Sequence, residues 1–278
     1  MLLSGGSIMR TIFQSIIKHI YIYFIFAKNS LIGYLEYKAN FFASLTMEIV
    51  FLFSKVVYVF VVYQVGYDIN GVSPDEVTIF VGTYTIMIAI YTGLFMDNFY
   101  NFPEHIRTGT LDIYITKPLS LQFIVSMRHV NFALPIPNLA AGITMVAIAW
   151  NKLNIEVNFV NIAGYVGTII SSAIVAYSLF LIPQVLSFWT IRSGSITEIT
   201  DKLWDFNNMP MSIYNKYIQR IGLFLIPVFF ITNMPSMFIL GKFNFIYYIW
   251  IIVAPILFMS ILRLIWRVGV KNYSSASG

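Results

Sequence analysis

The ionisable residues set deepest in apolar sequence are Glu48 and Lys55, seven positions apart and so on one face of a helix. Each costs about 2.5 to 3.5 kcal/mol at a membrane helix centre, so such side chains turn to protein, to a water-filled path or to one another. A subunit or helix interface is the plainer role, a substrate path the sharper one, and proton coupling would rest on one carboxylate. Other chemistry is sparse. The only Gly-Lys pair, Gly241-Lys242, is followed by Phe243 and has Ser236 where a P-loop places its leading glycine, so ATP is not bound by that route. His19, His105 and His129 stand in separate segments without metal-site spacing. Ser193-Gly194-Ser195 lacks the second glycine of a nucleophile elbow and reads as a helix cap. Neither a metal nor a bound cofactor is expected on this chain. One polar cluster has an order that solubility does not require: IRTGTLDIYITKPLSLQF, residues 106–123. It lies between two apolar stretches, which places it at a membrane's edge within reach of a partner.

The elements that must position these residues follow from composition. Hydrophobic residues make up 58% of the 278 and charged ones 10%, and the mean hydropathy is +0.77, which specifies an integral membrane protein. Phe and Tyr, 25 and 18 in number, suit lipid contact and interfacial belts. The net charge of +5 then bears on orientation rather than on nucleic acid. Cysteine is absent, which excludes disulfides and thiolate metal sites.

Six windows are long enough to cross about 30 Å of hydrocarbon as helices: roughly 41–63, 77–96, 130–150, 159–189, 221–240 and 245–266. The expected fold is all-α, a single membrane domain of six spans. Ser73-Pro74-Asp75-Glu76 starts the second with capping-box spacing and proline at the first helical position. With the N-terminus in the cytoplasm, 14 of the 17 Lys and Arg fall inside, Lys152 and Lys242 fall outside, and Lys55 is within a span. That asymmetry predicts both termini to be cytoplasmic.

Residues 11–27 alternate Thr11, Gln14, Ser15, Lys18 and His19 with an apolar face at helical spacing, which predicts a helix lying in the membrane interface. Lys18 and His19 interrupt the apolar run and no cleavage site follows, against a signal peptide. Residues 195–209 are expected to lie on the cytoplasmic surface likewise, with Ser195 and Glu198 as a capping box and Ile196, Ile199, Leu203, Trp204 and Phe206 as the stripe. The fourth window is over-long, and Pro183 is placed to break or kink it. Pro227 and Thr232-Asn233-Met234-Pro235 interrupt the fifth, as either a proline kink or a broken element near the outer face; if broken, Asn233 to Pro235 line something.

The pattern Arg107-x-Gly109-Thr110-Leu111-Asp112 followed by Lys117-Pro118-Leu119, after the second of six spans, resembles the permeases of type-2 ATP-binding-cassette (ABC) exporters. It is most similar to the bacterial branch in which two short permease chains assemble with separate ATPase subunits. The resemblance implies that this segment is a coupling helix docking in a groove of a cytosolic ABC ATPase. Gly109 permits a tight reversal, Leu111, Ile113, Tyr114 and Ile115 offer an apolar plug, and Glu104, Arg107, Asp112 and Lys117 offer charge around it. Pro118 ends the element. It further implies a bacterial plasma-membrane location, a second permease as homodimer or related chain, ATP and Mg on the partner rather than here, and export of a drug, peptide or lipid. The alternatives are a secondary transporter, which would need matched broken helices in two halves where the prolines show no clear correspondence, and a structural membrane subunit without transport.

Overall fold

The computed structural model describes residues 5–66, 71–190 and 193–273; Arg192 and the tail Ser274 to Gly278 lie outside the described residues. Among these the chain is helical without a strand. Its elements are α1 (Gly5–Glu36), α2 (Lys38–Val65), α3 (Pro74–Tyr91), α4 (Asp97–Arg107), α5 (Thr110–Ile115), α6 (Leu121–Met127), α7 (Pro135–Lys152), α8 (Phe159–Val185), α9 (Ser193–Asp205), α10 (Lys216–Arg220), α11 (Val228–Ile239) and α12 (Phe245–Asn272).

Among the described residues four helices are long and apolar enough to cross a membrane: Lys38–Val65, Pro74–Arg107, Phe159–Phe188 and Phe245–Asn272. A fifth would be Lys216–Leu225 with Val228–Ile239, which bend by 99° at Ile226-Pro227. The third expected span, 130–150, is not among them. Residues 128–134 are non-helical, and α7 begins only at Pro135, with Asn138, Asn151 and Lys152 diluting its apolarity. The Asn131 side chain accepts from the amides of Ala133 and Leu134, and Gly93, Asn98 and Ser30 satisfy the backbone amides of Asn131, His129 and Val130. Irregular backbone survives there because protein groups replace its missing helical bonds.

α3 starts as its sequence dictates, with Ser73 and Glu76 forming a capping box and Pro74 at the first position. It then runs past residue 96 through a π-helical turn at Thr92–Met96 into α4. α3 and α7 are the most extensively packed pair, and they meet backbone to backbone: a methyl group on Gly142 would come within 2.8 Å of the Gly82 carbonyl oxygen. The main core gathers Phe99, Phe102, Phe180, Phe229 and Phe230, all fully buried.

Further expectations change. α1 is not confined to 11–27; it reaches Glu36, and near its end Ser30 accepts from the Val130 amide and Tyr34 meets Phe132 edge-on, while Leu31, Ile32 and Leu35 stay exposed. Residues 196–208 lie on the surface along one face only, where Glu198, Ile199, Asp201, Lys202, Asp205 and Phe206 are exposed. Ile196, Thr200 and Asn207 are buried, and Trp204 stacks on Tyr91 at 4.6 Å. α9 begins at Ser193, two residues before the expected cap. Pro183 sits inside α8 without breaking it, and only the last turn tightens into a 3₁₀ helix. Pro235 likewise stays within a regular α11, so the break is at Pro227 alone.

Candidate functional site

Basic and acidic side chains divide the bundle into two ends. At one, Lys152 and Lys242 pair with Asp75 and Glu76 at 3.8 and 2.7 Å. At the other lie the end of α4, α5 and the turn to α6.

Gly109 makes the reversal between α4 and α5 with φ +72°, a left-handed conformation that a side chain would strain. Glu104 and Arg107, exposed on α4, pair with each other at 2.6 Å, so the charge expected to surround a plug is partly spent within one helix turn. Thr108 bonds both the Glu104 carbonyl and the Thr110 hydroxyl, closing the corner.

α5 is anchored on one face and open on the other. Leu111 is 0% and Tyr114 6% exposed, whereas Ile113 and Ile115 are 57% and 48% exposed. The expected four-residue apolar plug therefore splits: Leu111 and Tyr114 belong to the core, and only the two isoleucines face outward. Tyr114 is held edge-on by His105 at 5.2 Å and under the Arg128 guanidinium at 4.9 Å. The Tyr273 hydroxyl, just beyond α12, donates to Asp112 at 2.9 Å. Lys117 is exposed beside Pro118, whose carbonyl accepts from Lys18 of α1 at 3.1 Å. Helix α5 is thus fixed to its neighbours while presenting Ile113 and Ile115 to solvent, with Thr116 and Lys117 exposed just beyond it.

The second set, Glu48 and Lys55, meets α7 at a residue that sequence spacing did not reveal. The Asn138 amide, fully buried, donates to Glu48 Oε1 at 2.6 Å and accepts from Lys55 Nζ at 3.2 Å. Lys55 also lies 5.3 Å from the centre of the Tyr84 ring, and the Tyr84 hydroxyl donates to Asn208. These charges face a helix interface within this chain. Asn233 accepts from the Met211 amide at 2.9 Å, which holds the 206–213 turns against α11; neither it nor the buried Pro235 is brought to Glu48 or Lys55 by any bond.

A cavity of about 580 Å3 opens between α1, α4 and the 128–130 link. Asp97, Arg128, His129 and Tyr34 line it. Burial, then Arg128, lowers the pKa of His129, while Asp97 opposes them. Burial and then Asp97 push the Tyr34 hydroxyl up to about 12.

Among known proteins, residues 49–277 match the family model described as ABC-2 family transporter protein. No curated protein and no solved structure matches.

Proposed function

The chain belongs to the ABC-2 family of transporter proteins, and from that premise we propose that it is the permease of an ATP-driven exporter whose ATPase is a separate cytosolic subunit. As a member it is the membrane component of an ABC transporter and not itself the ATP-hydrolysing part. ATP and Mg belong, on this reading, to the partner, and both termini face the cytoplasm with it. The substrate is a hydrophobic or amphipathic compound, peptide or lipid moved outward across the bacterial plasma membrane.

The observation that carries the reading is the two-faced α5. A helix buried through Leu111 and Tyr114 and open through Ile113 and Ile115 transmits a push from a docked partner into α4, α6 and α12 without being levered off. A second permease copy or relative is supported by α2, whose most apolar window is only 11% buried in the single chain. Purification from the native host in mild detergent, with co-purifying proteins identified by mass spectrometry and assayed for ATP hydrolysis, tests this directly. A stoichiometric ATPase is the expected result; a chain that purifies alone and without hydrolysis overturns it.

A further inference from the structure

A cleft of about 550 Å3, separate from α5 and from the Glu48–Asn138–Lys55 network, lies among α3, α6, α8 and α12. Its lining is polarised along the bundle. On α8, Ile169, Ala173 and Tyr177 follow at successive turns, and on α12 Met259 precedes Arg263 by one turn. Ser171 bonds the Ile251 carbonyl and Phe188 packs on Trp266, so both helices run in the same direction and both change from apolar to polar toward the α5 end. There α6 adds Ser120 and Gln122, and Gln122 donates to the Tyr177 hydroxyl at 3.0 Å.

Arg263 is exposed nine residues before α12 ends at Asn272, where a membrane-spanning helix leaves hydrocarbon for headgroups. Arg267 and Lys271 continue its row at four-residue steps. A cation at headgroup depth above an apolar slot in the hydrocarbon matches a molecule with an anionic head and an alkyl chain. The cleft volume is also in the usual range of about 300 to 1,000 Å3 for small-molecule sites. We propose that this cleft is a binding site for one anionic membrane phospholipid, its phosphate on Arg263 and an acyl chain along Ala173 and Ile169.

The site does not depend on the exporter reading, and its test involves no ATP. The purified chain is titrated with phosphatidylglycerol and with phosphatidylcholine of identical chains, and bound lipid is counted by native mass spectrometry. Phosphatidylglycerol is expected to bind at least tenfold more tightly than phosphatidylcholine. Arg263→Gln should erase that preference, Ala173→Trp should remove both lipids, and Arg267→Gln, outside the cleft, should retain it. An Arg263→Gln protein that keeps the full preference, or equal binding of the two lipids by the natural chain, overturns the proposal.

Discussion

Tyr273 and Asp112 are 161 positions apart in sequence, yet the tyrosine hydroxyl donates to the carboxylate at 2.9 Å, tying the end of the last helix to α5. Burial and then Asp112 push the Tyr273 hydroxyl up to about 12. The folded-state pKa is raised, so the tie stabilises the protein fully below the ordinary tyrosine value of about 10 and is lost as pH rises through about 12.

Removing that hydroxyl should loosen α5 without unfolding the bundle. Tyr273→Phe is expected to cost about 1 kcal/mol locally, which corresponds to a roughly five-fold rise in amide exchange across 110–117. Hydrogen exchange by mass spectrometry reads this out; unchanged protection would mean that Leu111 and Tyr114 alone hold the helix.

The two faces of α5 should separate docking from folding. Ile113→Asp with Ile115→Asp places charge where solvent already reaches, so insertion and melting temperature stay near the natural values while ATPase association falls at least tenfold. Leu111→Asp buries an unpaired carboxylate and should cost several kcal/mol, which abolishes accumulation of folded protein. Co-purification beside thermal melting distinguishes the outcomes. An Ile113/Ile115 double variant that retains its ATPase removes α5 as the docking surface.

Asn138 should matter more than either charge it bridges. Asn138→Leu leaves Glu48 and Lys55 facing an apolar side chain and is expected to cost about 3 kcal/mol or more. The triple variant Glu48→Leu, Asn138→Leu, Lys55→Met removes all three polar groups and should recover most of that loss. Detergent melting temperatures test the stability claim. Transport by a stable triple variant would make the network structural, and loss of transport with stability intact would place it on the substrate path.

Features written in consecutive residues were legible in the sequence. Ser73 to Glu76 fixed the start of α3, Gly109 the reversal before α5, and Pro227 the break before α11, because each acts through its own backbone. What depends on a distant partner was not. The delayed start of α7 reflects the Asn131 side chain accepting from the Ala133 and Leu134 amides while Gly93, Asn98 and Ser30 hold the link, and no local pattern states that arrangement. Leu111 and Ile113 are both aliphatic, and only the packing of α4, α6 and α12 decides which of them is buried. The stripe of 196–206 was visible, but whether it faced lipid or Tyr91 was not. Asn138 resembled an ordinary helix-interior asparagine until α2 lay beside it.

Acid should act on the link between α6 and α7 through His129. Its amide donates to Asn98 and its carbonyl accepts from the same side chain, so its backbone is fixed while its ring shares a cavity with Arg128 and Asp97. Burial and Arg128 both disfavour the imidazolium, and Asp97 only partly offsets them. The folded-state pKa is therefore depressed, and the stabilisation is present above the unfolded value of about 6.5 and lost as pH falls through the lowered value. The melting temperature of the natural chain is expected to fall below about pH 6.5. His129→Gln, which cannot take up a proton, should flatten that part of the curve while leaving the value at pH 8 within about 2 °C of the natural chain. Identical acid limbs for the two proteins would assign the pH response to other groups, with the Asp97 carboxylate beside Asn131 the next to replace.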